Sequence, residues 1–155
     1  LSADNRIQTS FIVRKTFSAS AKTISIDPET ARKEYVTNIA ESDFVLTPKG
    51  DGNFSVRFYE ALSLGRIPVL VDTDMCLPLE HIVPYESFVI RVPYTEIDRI
   101  ADIVADTYQK LSDEEFIAMQ KAARHAYETW LRYDRFYKFL FSEVLLPLVS
   151  EVPVR

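Results

Sequence analysis

The chain holds a single cysteine, Cys76, so neither an internal disulfide nor a zinc–thiolate cluster can be built from it. No basic residue stands beside Cys76 to lower its pKa, and it reads as structural. Histidine is as scarce. His81 and His125 lack the sequence neighbours of a nucleophilic triad, and packing or solvent exposure is expected of both. A formal charge of −5 leaves no basic excess of the kind a nucleic-acid surface requires. No apolar run reaches the roughly 18 to 20 residues of a membrane span, and the first residues do not read as a signal peptide. Internal repeats, low-complexity tracts and charge blocks are also missing. Glycine is rare, and all three glycines, Gly50, Gly52 and Gly65, fall in one short stretch.

What is present fits one soluble α/β domain. A length of 155 residues is enough to bury a core, and 47% hydrophobic with 26% charged residues is ordinary for a globular chain. The first residue is Leu1 rather than Met, so the chain is expected to be a fragment of a longer protein, with residues 1–155 forming a single domain.

Strands and helices alternate along it. Phe11-Ile12-Val13 reads as a short strand and residues 18–26 as a loop. Asp27-Pro28 predicts a helix start, with Asp27 as the cap, and the helix should run to about Ala40. Asp43–Thr47 is a strand ended by Pro48. A helix from about Phe54 to Leu64 stops at Gly65, which can adopt the left-handed backbone. Ile67–Val71 is a buried strand with its proline near the start, and Phe88–Val92 is another. Residues 95–110 have helical spacing. Ser112 and Glu115 form a capping-box pattern opening a long last helix, expected to bend near Tyr133 and end before Pro147. Its aromatics Trp130, Tyr133, Phe136, Tyr137 and Phe139 read as core packing rather than a stacking platform. The alternation predicts a Rossmann-like parallel sheet with helices on both faces.

The chemistry concentrates between Ser42 and Asp74. Lys49–Arg57 (KGDGNFSVR) is a glycine-bearing polar loop feeding a helix N-terminus, where free N–H groups and the helix dipole can hold phosphate oxygens. Gly50 and Gly52 can fold the loop tightly around an anion, and Asn53 and Ser55 can cap the helix or bond a phosphate oxygen. A capped, solvent-exposed turn accounts for the same residues, because the loop is neither GxGxxG nor GxxxxGK[ST]. Arg57 and Glu60 share a helix face. They suit a diphosphate and a ribose respectively, or they form a surface ion pair of little consequence. Asp72, Thr73 and Asp74 lie past the carboxyl end of a strand, the edge where α/β sheets bind ligands. A polar loop explains them equally, and a metal site on the two aspartates is not expected because no third ligand is evident. Arg14 and Lys15 follow the first strand and can reach the same crevice, with Arg14 a candidate diphosphate contact, or are solvated charges.

These residues resemble the exostosin-like glycosyltransferases. The matching pieces are Tyr35 with Ser42-Asp43-Phe44, then Pro48-Lys49-Gly50, Ser55-Val-Arg57-Phe-Tyr-Glu60-Ala61-Leu62 and Gly65-Arg-Ile67-Pro68-Val69. They continue through Asp72 and Leu77-Pro78 into Phe88–Val92. The resemblance covers about residues 35–92 and is weaker beyond. It implies the C-terminal, donor-binding half of a GT-B enzyme that transfers a sugar with inversion from a UDP-sugar to a glycan or other hydroxyl acceptor. Glu60 would hold the ribose, and Arg57 with the Gly50–Ser55 loop would face the diphosphate. A missing N-terminal half of the same protein would supply the catalytic base and most of the acceptor site, leaving this piece inactive alone. No cofactor is expected, since helix N–H groups and Arg57 would stand in for a metal. The family often has Arg where Lys49 stands. Lysine lacks the bidentate fork, which puts a diphosphate role there in doubt. A fucosyltransferase-like domain using GDP-fucose and a non-catalytic nucleotide-binding or interaction module remain alternatives. Asn53-Phe54-Ser55 is an N-glycosylation sequon inside the loop. A glycan there would block the donor, so a bacterial-type cytoplasmic protein is expected over one in the Golgi lumen.

Overall fold

A computed structural model describes residues 1–13 and 26–150. Arg14, Lys15 and nearly all of the loop at 18–26 lie outside the described residues. Helix α1 spans Pro28–Ala40 and opens as expected: the Asp27 carboxylate accepts from Thr30 N at 2.9 Å, and Pro28 takes the position where a missing N–H costs nothing. Strand β1 is Phe44–Thr47, helix α2 is Val56–Ser63 and strand β2 is Ile67–Asp72. Gly65 follows α2 with φ +64, the only glycine in the left-handed region. Strand β3, Ile90–Pro93, begins two residues later than the sequence suggests. A 3₁₀ turn at Tyr85–Ser87 precedes it, and the amides of Phe88 and Val89 bond back to Tyr85 O at 3.1 and 2.8 Å.

The strands form one parallel sheet in the order β1-β2-β3, with Leu46 opposite Val69 and Val69 opposite Ile90. Every residue of β2 from Ile67 to Val71 is buried, the pattern of a parallel strand covered on both faces. Pro68 is tolerated there for a geometric reason. Ile67 N–H reaches Asp43 O on the β1 side at 3.4 Å, so the N–H that Pro68 lacks would point toward β3. Pairing with β3 starts only at Val69.

Helices cover both faces. On one, Leu70 meets Phe58 and Leu62 of α2, together with Ala123 and Ala126 from α4, Asp113–Ala126. On the other, Ile67, Val69 and Val71 meet Ile100 and Val104 of α3, Ile100–Lys110. This is an α/β Rossmann-like arrangement. Helix α3 starts later than its spacing implies, because Tyr94–Arg99 forms 3₁₀ turns with a kink at Glu96. The capping box of α4 is complete, with the Glu115 side chain on Ser112 N and Ser112 Oγ on Glu115 N.

Two expectations fail at the chain ends. Phe11-Ile12-Val13 joins no strand, and Val13 is 90% exposed. A strand needs a paired neighbour, and the outer side of β1 instead faces a groove of about 560 Å³, whose walls include Ile7, Phe11, Phe44 and Tyr108. The last helix does bend, at Arg132, whose extended backbone (ψ 136) follows a π-helical turn at Tyr127–Leu131. Helical structure resumes as α5, Tyr133–Phe139, and a second π-helical stretch, Leu140–Leu145, leads into α6, Leu146–Ser150. The helix therefore does not end before Pro147. A π-helical stretch closely precedes it, the kind of widened turn that accommodates a residue without an N–H. The aromatics here divide: Trp130 packs edge-on to Phe139 at 5.9 Å, whereas Tyr133 and Tyr137 are exposed and lean on each other at 4.6 Å. His81 and His125 are both exposed. Cys76 is exposed as well and not part of the packing, because Met75 and Leu77 on either side of it point inward.

Candidate functional site

The loop between β1 and α2 is held at both ends. Gly50 N donates to Phe54 O at 2.8 Å and closes it. The Asn53 amide donates to Thr73 O at 2.9 Å and Asp74 O at 3.2 Å, and its oxygen accepts from Thr73 Oγ1 at 2.5 Å. These bonds tie the loop to the carboxyl end of β2, and they delay the start of α2 to Val56. Gly50 and Gly52 are not needed for unusual backbone angles, contrary to the expectation from sequence, since neither has a positive φ. Gly52 is needed for space: a Cβ there would come within 3.0 Å of the Phe54 ring.

Ser55 occupies the cap position of α2 with extended angles, yet its side chain makes no capping bond. The first N–H groups of the helix are thus left without a side-chain cap. They border a cavity of about 580 Å³, within the range of small-ligand pockets, walled by Pro48, Gly50, Asp51, Phe54, Ser55, Val56, Arg57, Glu60 and Tyr35.

Arg57 and Glu60 form no ion pair with each other. Tyr35, from α1, stands between them. Its hydroxyl donates to Glu60 Oε2 at 2.5 Å and accepts from Arg57 Nε at 3.3 Å. The Arg57 guanidinium lies 5.2 Å from the centroid of the Tyr35 ring, a cation–π distance. Burial raises the Tyr35 pKa, the bond to Glu60 pushes the same way, and the Arg57 charge opposes both. Tyr35 therefore stays protonated and remains a donor. Among the described residues, Glu60 Oε1 and the terminal nitrogens of Arg57 have no partner.

Four sequence candidates, Gly50, Ser55, Arg57 and Glu60, thus share one cavity wall. The others stand elsewhere. Lys49 is exposed and outside that wall, and Gly52 packs beneath Phe54. Asn53 and Thr73 brace the loop. The Asp72 carboxylate accepts from Met75 N at 3.2 Å and pairs with Arg91 Nε at 3.5 Å. The exposed Asp74 has φ 58. Asp51 and Tyr35 are wall residues to which sequence reasoning gave no role. For Tyr35 the one signal was its place in the resemblance. Asp51 adds an exposed acidic residue to the same wall.

Residues 3–107 match the Exostosin GT47 domain, about two thirds of the chain. The chain belongs to the exostosin GT47 family. It is 30% identical over 101 residues to an exostosin-1 homolog of Caenorhabditis elegans, covering 65% of this chain and 25% of that protein. It is 28% identical over 124 residues to exostosin-1 of Drosophila melanogaster, covering 80% of this chain and 16% of that protein. The chain thus spans a quarter or less of these relatives. They are animal exostosins, so the bacterial-type cytoplasmic location expected from the sequon is not favoured. In the fold the Asn53 amide of that sequon donates to Thr73 O and Asp74 O. No helix among the described residues is long and apolar enough to cross a membrane.

Proposed function

We propose that residues 1–155 are the donor-binding half of a GT-B glycosyltransferase that takes a UDP-sugar and transfers its sugar, with inversion, to a glycan hydroxyl. Membership of the exostosin GT47 family supports glycosyl transfer. The observation that carries the donor role is the cavity at the start of α2, whose wall brings together Arg57, Glu60 and a first helical turn with no side-chain cap; among the described residues the terminal nitrogens of Arg57 and Glu60 Oε1 have no partner.

In this reading Glu60 accepts from a ribose hydroxyl. As the acceptor oxygen attacks the anomeric carbon, the bond to the diphosphate breaks and negative charge grows on the leaving oxygen. Arg57 and the helix N–H groups stabilise that charge where it develops. The base that takes the acceptor proton belongs to a further, N-terminal half of the same protein, along with most of the acceptor site. This chain alone binds donor without turning it over.

The test is a thermal melt of the chain with UDP, GDP, ADP or CMP. Ligand at ~100 times its dissociation constant adds roughly 2.7 kcal/mol, or about 5–10 °C for a chain of this size. UDP is expected to give the largest shift, and adding EDTA to leave it unchanged. Equal shifts for all four nucleotides would contradict the uridine assignment. Loss of the UDP shift in EDTA would contradict a metal-free cradle and point to Asp72 and Asp74.

A further inference from the structure

We propose that Tyr35 is a positioning residue of the donor site: it keeps Arg57 and Glu60 apart and holds each turned toward its own part of the donor. This rests on the reading of Glu60 as the ribose acceptor. Arg57 and Glu60 sit three residues apart on α2, the spacing at which opposite charges pair. A direct bidentate pair would take both carboxylate oxygens and two guanidinium nitrogens, and turn both groups away from a ligand. The Tyr35 hydroxyl prevents this with its two hydrogen bonds. Its one proton goes to Glu60 Oε2 at 2.5 Å, and its oxygen receives Arg57 Nε at 3.3 Å. Each partner is engaged at one end only. Oε1 of Glu60 and the two terminal nitrogens of Arg57 have no partner among the described residues, and both residues line the cavity.

The Tyr35 ring contributes separately. With the guanidinium carbon 5.2 Å from its centroid, the ring attracts the Arg57 charge and helps to fix that side chain. Because Tyr35 comes from α1 and the other two from α2, the arrangement also ties the two helices at the cavity. Two long, flexible side chains are thereby ordered before ligand arrives, which lowers the entropic cost of binding.

Tyr35→Phe separates these contributions, since it keeps the ring and removes the hydroxyl. With the full 155-residue chain, UDP affinity should fall about 5- to 20-fold, because Glu60 and Arg57 are then free to close on each other. A melt without ligand should move by no more than a few degrees, which reports that the variant folds. The decisive comparison is the cycle with Glu60→Gln. If Tyr35 acts through Glu60, Tyr35→Phe should change UDP affinity less than twofold in the Glu60→Gln background. Full additivity, or Tyr35→Phe binding like the parent while Glu60→Gln binds weakly, overturns the proposal and leaves the donor reading standing. Glu60→Gln binding like the parent overturns the donor reading itself, and this proposal with it.

Discussion

Glu60→Gln is expected to weaken UDP binding by about 1.5–3 kcal/mol, the scale of a hydrogen bond to a charged group, while changing stability by no more than about 1 kcal/mol. The substitution is nearly isosteric and helix propensity barely changes. The new amide oxygen can still accept from Tyr35 Oη, the bond seen at 2.5 Å. What disappears is the carboxylate's charge. A residue serving only as a surface partner would show neither effect on ligand. Isothermal titration with UDP and a urea melt of the same preparations separate the two. A variant that binds as the parent does removes Glu60 from the site.

Phe58→Ala carries the largest expected loss of stability, about 3–5 kcal/mol. The ring is completely buried. It lies edge-on to Tyr59 at 5.4 Å and 6.0 Å from the Tyr85 ring, in the cluster that joins α2 to β2 and α4. Three or four kilocalories is a large share of the roughly 5–15 kcal/mol that holds a domain together. Phe58 also follows Arg57 in the first turn of α2, so its anchoring sets where the cradle sits. Urea denaturation measures the loss, and a change below about 1 kcal/mol would show that α2 does not pack as described.

Features encoded within a few neighbouring residues were legible before the fold was known. Asp27-Pro28 and the Ser112–Glu115 box are local capping patterns, and both form as read. Ile67–Val71 was recognisable as an unbroken apolar run, and Arg57 with Glu60 as one helix face. Contacts between distant residues were not legible. Nothing near Tyr35 in sequence says that its hydroxyl bonds a carboxylate 25 residues away, and nothing near Asn53 says that it bonds Thr73. The Phe11–Val13 run looks like a strand because its composition suits one, but a strand exists only beside a partner. Gly52 shows the same limit: its role depends on where the Phe54 ring lands. The resemblance, carried by ordered motifs around residues 35–92, reached the family that the comparisons then showed.

The proposed donor role depends most directly on Arg57 as the group that meets the diphosphate. Titration of the parent and of Arg57→Ala with UDP and with uridine tests this in one calorimetric series. Uridine has the ribose and base but no phosphate. The parent should bind UDP more tightly than uridine, and Arg57→Ala should weaken UDP by about 1.5–3 kcal/mol while leaving uridine within a factor of about three. Equal losses for the two ligands, or none for UDP, would contradict a diphosphate cradle at the start of α2.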